Sequence, residues 1–175
     1  MRDLGWQVSG VEYDAQCVAQ AKGVDLDVIY GSLHDLNATD TSIDAIVASH
    51  TIEHVPDPIK FFSEAYRILS PNGNLVLSTP NGLSLGARLF NEYWRGLEVP
   101  RHLAIQNARS LYKLAKDNGF REIEIFGTHH SGFILQQSFE RKFGLKISRK
   151  QNWVTLFFNV AGVVIALMNR TWSDE

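Results

Sequence analysis

Apolar positions along this chain follow a strand-like spacing and a helix-like spacing in turn, most clearly over residues 43–81. Residues 43–48 form a short, mostly apolar run, typical of a parallel strand covered on both faces. Asp57 and Pro58 suit the start of a helix. The sequence SPNG at 70–73 predicts a turn, and a second buried strand begins at Leu75. The helix between them has a predicted apolar face of Ile59, Phe62, Ala65, Tyr66 and Leu69.

The remaining segments continue this pattern. They predict a helical turn over 1–5, strands over 6–11, 27–30 and 121–126, an irregular segment over 94–102, and helices over 15–22, 83–93, 110–118 and 131–143. Alternating strands and helices predict a doubly wound α/β sheet. Ligands of such sheets lie beyond the carboxyl ends of the strands, which here carry Ser49-His50-Thr51 and Thr79-Pro80-Asn81.

Size and composition predict an ordinary globular protein. The 175 residues suit one domain, and 45% apolar and 21% charged residues are typical of soluble proteins. A net charge of −2 gives no basic face for nucleic acid. Cys17 is the single cysteine, which excludes an internal disulfide and suits a reducing compartment, so we expect a cytoplasmic protein.

Residues 153–168 are almost entirely apolar. Sixteen residues fall short of the roughly 20 that span a bilayer as a helix. The pattern favours a C-terminal helix packed on the sheet. The alternative is a helix that binds a membrane surface, a partner or a second copy of the chain, which would make the protein peripheral to the membrane.

Several segments, in fixed order, resemble class I S-adenosylmethionine-dependent methyltransferases. They are VSGVE at 8–12, GSLHDL at 31–36, IDAIVASHTIEHVPDP at 43–58, YRILSPNGNLVLSTPN at 66–81 and LYKLAKDNGF at 111–120. The segment YWRGLEVPRHL at 93–103 is similar to the small-molecule branch that includes ubiquinone-biosynthesis O-methyltransferase relatives and envelope-sugar methyltransferases. The likeness implies a Rossmann-like three-layer sandwich with S-adenosylmethionine as cofactor.

The resemblance also implies which residues bind that cofactor: Glu12, Tyr13, Ser32, Leu33, His50 and Thr51. Glu12 would accept hydrogen bonds from the ribose hydroxyls, since a carboxylate offers two acceptor oxygens. Tyr13 would lie against the adenine, and Ser32 with the Leu33 main chain would bind its amino group. His50 and Thr51 would line the methionine end. Glu12 and Ser32 could instead be ordinary turn residues and His50 an ordinary loop histidine, and an acid at Glu12 also suits NAD.

Two parts of the family pattern are missing. A first strand with a D-x-G-x-G loop should precede residue 1, and a final strand should follow the apolar helix. We therefore expect 1–175 to be a single partial methyltransferase domain whose sheet lacks its first strand. Within it, 83–110 would be a substrate-side insertion.

The expected reaction is methyl transfer to a small molecule, at oxygen. A hydroxyl acceptor profits from a base, for which His102 is the first candidate and His50 the second. Trp94 and Arg101 would bind the substrate, although Trp94 could instead pack and Arg101 could pair with Glu98 or Glu92. The alternative function is a non-catalytic, methyltransferase-like fragment that acts by interaction.

Two histidine patterns suggest metal binding, but neither predicts a site. His50 to His54 spell H-x-x-E-H, a zinc peptidase signature that requires a helix, whereas here the motif follows a strand directly. His129 and His130 are adjacent and would point in opposite directions on a strand.

Overall fold

The computed structural model describes residues 1–127 and 131–146, which form nine regular elements. Their order is β1 (Ser9–Glu12), α1 (Ala15–Lys22), β2 (Asp27–Tyr30), β3 (Ile43–Ser49), α2 (Pro58–Ile68), β4 (Leu69–Ser78), α3 (Leu85–Phe90), α4 (Ala108–Asp117) and α5 (Ser131–Phe143). The predicted alternation of strands and helices is confirmed through β4. The predicted helix at 153–168 and the pair His129-His130 lie outside the described residues.

β1 and β2 are parallel neighbours joined through α1, with Glu12 opposite Tyr30. Helix α1 begins after Asp14, whose Oδ1 accepts hydrogen bonds from the main-chain N–H groups of Gln16 (2.7 Å) and Cys17 (3.3 Å). Such a cap satisfies donors that have no partner within the helix. The bounds predicted for α1 and β2 are confirmed, while β1 begins three residues later than predicted.

β3 and β4 form a second two-stranded sheet. Ser42 N–H donates to Ile68 O and His50 N–H donates to Ser78 O, both at 2.8 Å, so the strands run in the same direction. Helix α2 begins at Pro58 as predicted. Its buried face is Phe61, Phe62, Glu64, Ala65 and Ile68. Ile59 and Tyr66, predicted to lie on that face, are exposed, because the buried stripe follows positions 61, 65 and 68.

Three local predictions are wrong. The turn predicted at 70–73 lies inside β4, where Asn72 adopts a positive φ of 67°. Val47 and Val76, predicted to be covered, are 59% and 57% exposed, because one face of the β3–β4 pair lies open at these positions. Residues 121–126 form no strand. Ile123 and Ile125 are half-buried and the polar residues beside them are exposed, so the alternation in the sequence does reflect burial. A strand, however, also requires a neighbouring strand as hydrogen-bond partner.

The chain divides into two compact units. The first unit comprises Met1–Val47 and Ile59–Val76, with a core that includes Val18, Phe62 and Ile68. The second unit comprises Ala48–Pro58 and the chain from Leu77 onward, with a core that includes Ile52, Trp94 and Leu135. No helix among the described residues is both long and apolar enough to cross a membrane.

Candidate functional site

In the first unit, the predicted ribose-binding residue lies where the two parallel strands end. Glu12 is the last residue of β1, and its main-chain carbonyl accepts a hydrogen bond from Gly31 N–H at 2.9 Å. Its side-chain Oε1 accepts a hydrogen bond from Asp14 N–H at 3.0 Å. The carboxylate is therefore held at the carboxyl edge of β1, directly beside the residue that follows β2.

Ser32 and Tyr13 lie at the same edge, together with Asp35. The Ser32 N–H and hydroxyl both donate to Asp35 Oδ2, at 2.7 and 2.6 Å. These bonds hold the pKa of the Asp35 carboxyl below its usual range. Burial, and then the Asp35 charge, raises the pKa of the Tyr13 phenol, while a hydrogen bond with Ser32 opposes the shift. Leu33 follows as the first residue of a short 3₁₀ turn.

Asp35, which is not among the predicted site residues, fixes the position of Ser32. Its signal was the spacing Ser-x-x-Asp, a capping pattern in which an acid three residues on reaches back to a main-chain N–H. Because the Ser32 hydroxyl donates its proton to Asp35, its hydrogen bond with the Tyr13 phenol must use one of the two lone pairs of the Ser32 oxygen, and the other can accept one more hydrogen bond.

In the second unit, His50 follows β3 in an unusual backbone conformation. Its φ is +51°, in the left-handed region that costs a residue with a side chain free energy. The imidazole is 62% exposed, and its Nδ1 lies 3.2 Å from Oε1 of Glu53, a residue with no exposed surface. Thr51 follows, and its hydroxyl donates to Ser49 O at 3.3 Å. Strained residues persist where the surrounding contacts fix them, which is common at functional sites.

Glu53 connects three loops of the second unit. Its Oε2 accepts a hydrogen bond from the Thr79 hydroxyl at 2.9 Å, beyond the end of β4. Its main-chain carbonyl accepts hydrogen bonds from Leu103 N–H (2.7 Å) and Ala104 N–H (3.3 Å). The loop after β3, the loop after β4 and the segment that follows His102 therefore meet at one buried residue.

His54 and His102 form an edge-to-face ring pair with centroids 4.8 Å apart. His54 Nδ1 donates to Arg101 O at 2.8 Å, and His102 Nδ1 donates to Gly96 O at 2.7 Å. A carbonyl can only accept, so both rings carry hydrogen on Nδ1. The His102 side chain is only 6% exposed, and its Nε2 lies 3.6 Å from Glu98 Oε2.

The arrangement around His54 differs from the zinc peptidase motif. Residues 52–54 form one 3₁₀ turn, so the motif has no helix to present His50 and His54 on one face. Potential ligand atoms of Glu53, His54 and His102 do lie within 4.8 Å of one another. Of the described residues, these three are the ones that a cation could draw together.

The two predicted substrate-binding residues have different surroundings. Trp94 is 3% exposed, and its ring packs where a side chain on Gly96 would collide with it. Arg101 is exposed, and its guanidinium donates to Glu98 Oε1 at 3.1 Å. Glu98 also pairs with Arg95, which lowers the pKa of the Glu98 carboxyl to about 2. The charge of Arg101 therefore already faces a carboxylate.

A cavity of about 400 Å³ lies beside Trp94 in the second unit. None of the residues that line it carries a charge. They are Gly82, Leu83, Ala87, Asn91, Trp94, Leu97, Ile105 and Asn107. Apolar walls with a few amide groups are typical of pockets that bind small organic molecules.

Comparison with known proteins decides the family. Residues 1–125 match the sequence profile of a methyltransferase domain. The chain belongs to this methyltransferase family. The match covers the candidate site residues described above, from Glu12 to the segment around His102.

Named relatives agree with this assignment. A protein of Mycolicibacterium smegmatis described as a "probable S-adenosylmethionine-dependent methyltransferase" is 32% identical over 139 residues, covering 77% of this chain and 51% of the relative. A ubiquinone biosynthesis O-methyltransferase of Xanthomonas oryzae is 36% identical over 88 residues, covering 46% of this chain and 37% of that enzyme. The chain thus spans about half the length, or less, of these curated relatives.

A solved structure shows the same fold. It is a SAM-dependent methyltransferase of Thermotoga maritima, described as a "possible histamine N-methyltransferase", with 25% identity and a TM-score of 0.57. The alignment covers 66% of this chain and 56% of that one. These findings confirm the predicted Rossmann-like methyltransferase fold, and they support S-adenosylmethionine as the cofactor.

Proposed function

We propose that this chain takes part in S-adenosylmethionine-dependent methylation of a small molecule, at an oxygen atom. The family assignment supports methyl transfer, and the ubiquinone biosynthesis relative supports oxygen as the acceptor. The observation that carries the proposal is the exposed imidazole of His50, whose Nδ1 faces a fully buried carboxylate at the end of β3.

The first unit would bind the nucleoside part of the cofactor. Glu12 would accept hydrogen bonds from the ribose hydroxyls, and Tyr13 would lie against the adenine. Ser32 would accept a hydrogen bond from the adenine amino group with the one lone pair that its bonds to Asp35 and Tyr13 leave free, and the Leu33 main chain would contribute to the same site. This assignment fits the position of Glu12 and Ser32 at the ends of adjacent parallel strands.

The resemblance assigns His50 and Thr51 to the methionine end of the cofactor. When bound, the cofactor supplies a methyl group on a positively charged sulfur. Alignment of the acceptor oxygen with that methyl group supplies most of the rate enhancement in such a displacement.

A base is also needed, because the acceptor hydroxyl loses its proton as the oxygen–carbon bond forms and the sulfur–carbon bond breaks. His50 Nε2 would take that proton, since Nδ1 is engaged with Glu53 and the ring is exposed. His102, the first candidate from the sequence, also presents Nε2, but its side chain is buried and close to Glu98. We therefore place His50 ahead of His102.

The acceptor would bind in the region of residues 83–110, which we propose to be the substrate-side insertion. Trp94 contributes a wall of the uncharged cavity, and this favours an acceptor with an apolar body. Arg101 pairs with Glu98, so it would reach an anionic group of the acceptor only by leaving that partner.

Two measurements test the proposal. Isothermal titration with S-adenosylhomocysteine should show binding, and Glu12→Gln should weaken it by roughly 10- to 100-fold, as expected for a lost hydrogen bond to a charged group. Glu122→Gln, an exposed acid in an irregular segment, is the matched control and should bind normally.

Transfer of labelled methyl groups should then favour phenols and sugars over amines. No binding by the wild-type chain, or equal losses in both variants, would contradict the cofactor assignment, and preferential labelling of amines would contradict the oxygen acceptor.

A further inference from the structure

Glu53 has a side chain that the methyl-transfer proposal uses only indirectly. We infer that Glu53 is a positioning residue. Its buried carboxylate sets the tautomer and direction of the His50 imidazole, and Thr79 in turn fixes that carboxylate. This inference rests on the proposed function for its effect on catalysis, but the tautomer of His50 can be measured without any turnover.

The contacts of the carboxylate divide between two partners. Oε1 lies 3.2 Å from His50 Nδ1, and Oε2 accepts the Thr79 hydroxyl at 2.9 Å. A carboxylate only accepts hydrogen bonds, so His50 must donate from Nδ1, and in the neutral imidazole the lone pair is then on Nε2. An exposed imidazole without such a partner would exchange between tautomers and rotate freely.

Burial gives this contact its strength. Glu53 has no exposed surface, so water does not compete at the carboxylate, whereas the imidazole that it faces is mostly exposed. The pair therefore presents a single free nitrogen to solvent from a fixed ring. This is the arrangement in which a third group orients a base, as in other enzymes that pair an imidazole with a carboxylate.

Main-chain and side-chain roles of Glu53 can be separated. The bonds from Leu103 and Ala104 go to the main-chain carbonyl, which any residue at position 53 would supply. The side-chain oxygens serve His50 and Thr79. A Glu53→Gln substitution keeps the shape and the main-chain bonds, but it replaces one acceptor oxygen with a donor, so the side chain no longer requires His50 to donate from Nδ1.

The decisive experiment is a ¹⁵N–¹H long-range correlation spectrum of the histidine rings. We would record it for wild type, Glu53→Gln and Thr79→Val, with His50→Gln to assign the signal and Glu122→Gln as the control. In the wild type, His50 should show hydrogen on Nδ1 alone. Glu53→Gln should give mixed tautomers, Thr79→Val should move the signal in the same direction, and the control should leave it unchanged.

Kinetics then tests the effect on catalysis. Glu53→Gln should lower kcat by roughly 10- to 100-fold, part of the 10²- to 10⁴-fold that a positioned base contributes, with the KM for the cofactor within about twofold. Added to His50→Gln, it should cause no further loss, since both changes remove one function.

Each result has a distinct meaning. A His50 tautomer that Glu53→Gln and Thr79→Val both leave unchanged would overturn the inference, and additive losses in the double variant would overturn its catalytic part. If Glu53→Gln does not fold, Thr79→Val decides the tautomer question, because Thr79 is only half-buried. Absence of turnover in the wild type, together with a fixed Nδ1–H tautomer, would contradict the proposed function and leave the positioning role standing.

Discussion

At the scale of single residues, Gly31 shows how a backbone conformation can place a binding group. Its φ is +139°, and a Cβ at this position would lie 2.6 Å from Asp35 Oδ2, the oxygen that holds Ser32. Gly31→Ala should therefore cost about 1–3 kcal/mol of stability through backbone strain and should also displace Asp35 from Ser32. We expect weaker binding of S-adenosylhomocysteine in addition to a lower free energy of unfolding.

A second glycine separates these two effects. Gly5 also has a positive φ, 84°, but a Cβ there would meet nothing within 4 Å. Gly5→Ala should show the backbone cost in urea unfolding while its affinity for S-adenosylhomocysteine stays normal. Equal affinities for the two variants would mean that the contact between Asp35 and Ser32 does not shape the nucleoside site.

Residue-scale prediction from sequence succeeded where the signal was local. Glu12 and Ser32 could be placed at strand ends because each comes within two residues of a predicted strand. The burial of Glu53 could not be predicted, because it depends on Thr79, 26 residues later, and on main-chain bonds from residues 103 and 104. Likewise, the Arg101 side chain meets Glu98 only because the segment around it turns back on itself.

At the scale of elements, helix α2 is fixed by a buried acid. Glu64 is almost fully buried and accepts two hydrogen bonds from Arg67, at 2.6 and 2.9 Å. Arg67 also donates to Ala38 O at 3.0 Å and pairs with Asp40, so the helix is tied to the segment that precedes β3. The bond from Arg67 lowers the pKa of the Glu64 carboxyl.

Glu64→Gln should destabilise the first unit by about 1–3 kcal/mol, because it weakens the two hydrogen bonds that the buried Glu64 carboxylate accepts from Arg67. Urea unfolding at neutral pH measures the loss. Ser63→Ala, on the exposed side of the same helix, is the control and should stay within about 0.5 kcal/mol of the wild type. A loss no larger than that of the control would show that α2 is held by its apolar face alone.

The elements also show why sequence patterns succeed or fail. The bounds of α1 were predictable because Asp14 caps its start and Gly23 follows its end. The strand predicted at 121–126 failed because alternation describes two faces and says nothing about a hydrogen-bonding neighbour. The turn predicted at 70–73 failed because Asn72 tolerates a positive φ while the surrounding residues continue as a strand.

At the scale of the whole molecule, the carboxyl groups make stability depend on pH. Asp35, Glu64 and Glu98 all have pKa values below their usual range, because each accepts hydrogen bonds from a serine or an arginine. A group whose pKa is lower in the folded state binds more protons when the chain is unfolded. Stability should therefore rise with pH across the window between the two pKa values and fall as the solution becomes acidic.

Glu98 gives the clearest test of this dependence. The hydrogen bond from Arg95 is the main cause of its low pKa, about 2 against an ordinary 4.5, and this difference corresponds to at most about 3 kcal/mol. The contribution should be complete above pH 4.5 and should disappear as the pH falls toward 2.

Glu98→Gln should thus lower the free energy of unfolding by about 1–3 kcal/mol at pH 7, and the difference from wild type should shrink at pH 4 and again at pH 3. Urea titrations at these pH values, with Glu122→Gln as the exposed control, measure it. A difference that stays constant from pH 7 to pH 3 would mean that Glu98 stabilises the fold through packing rather than through its charge, because a packing contribution does not titrate.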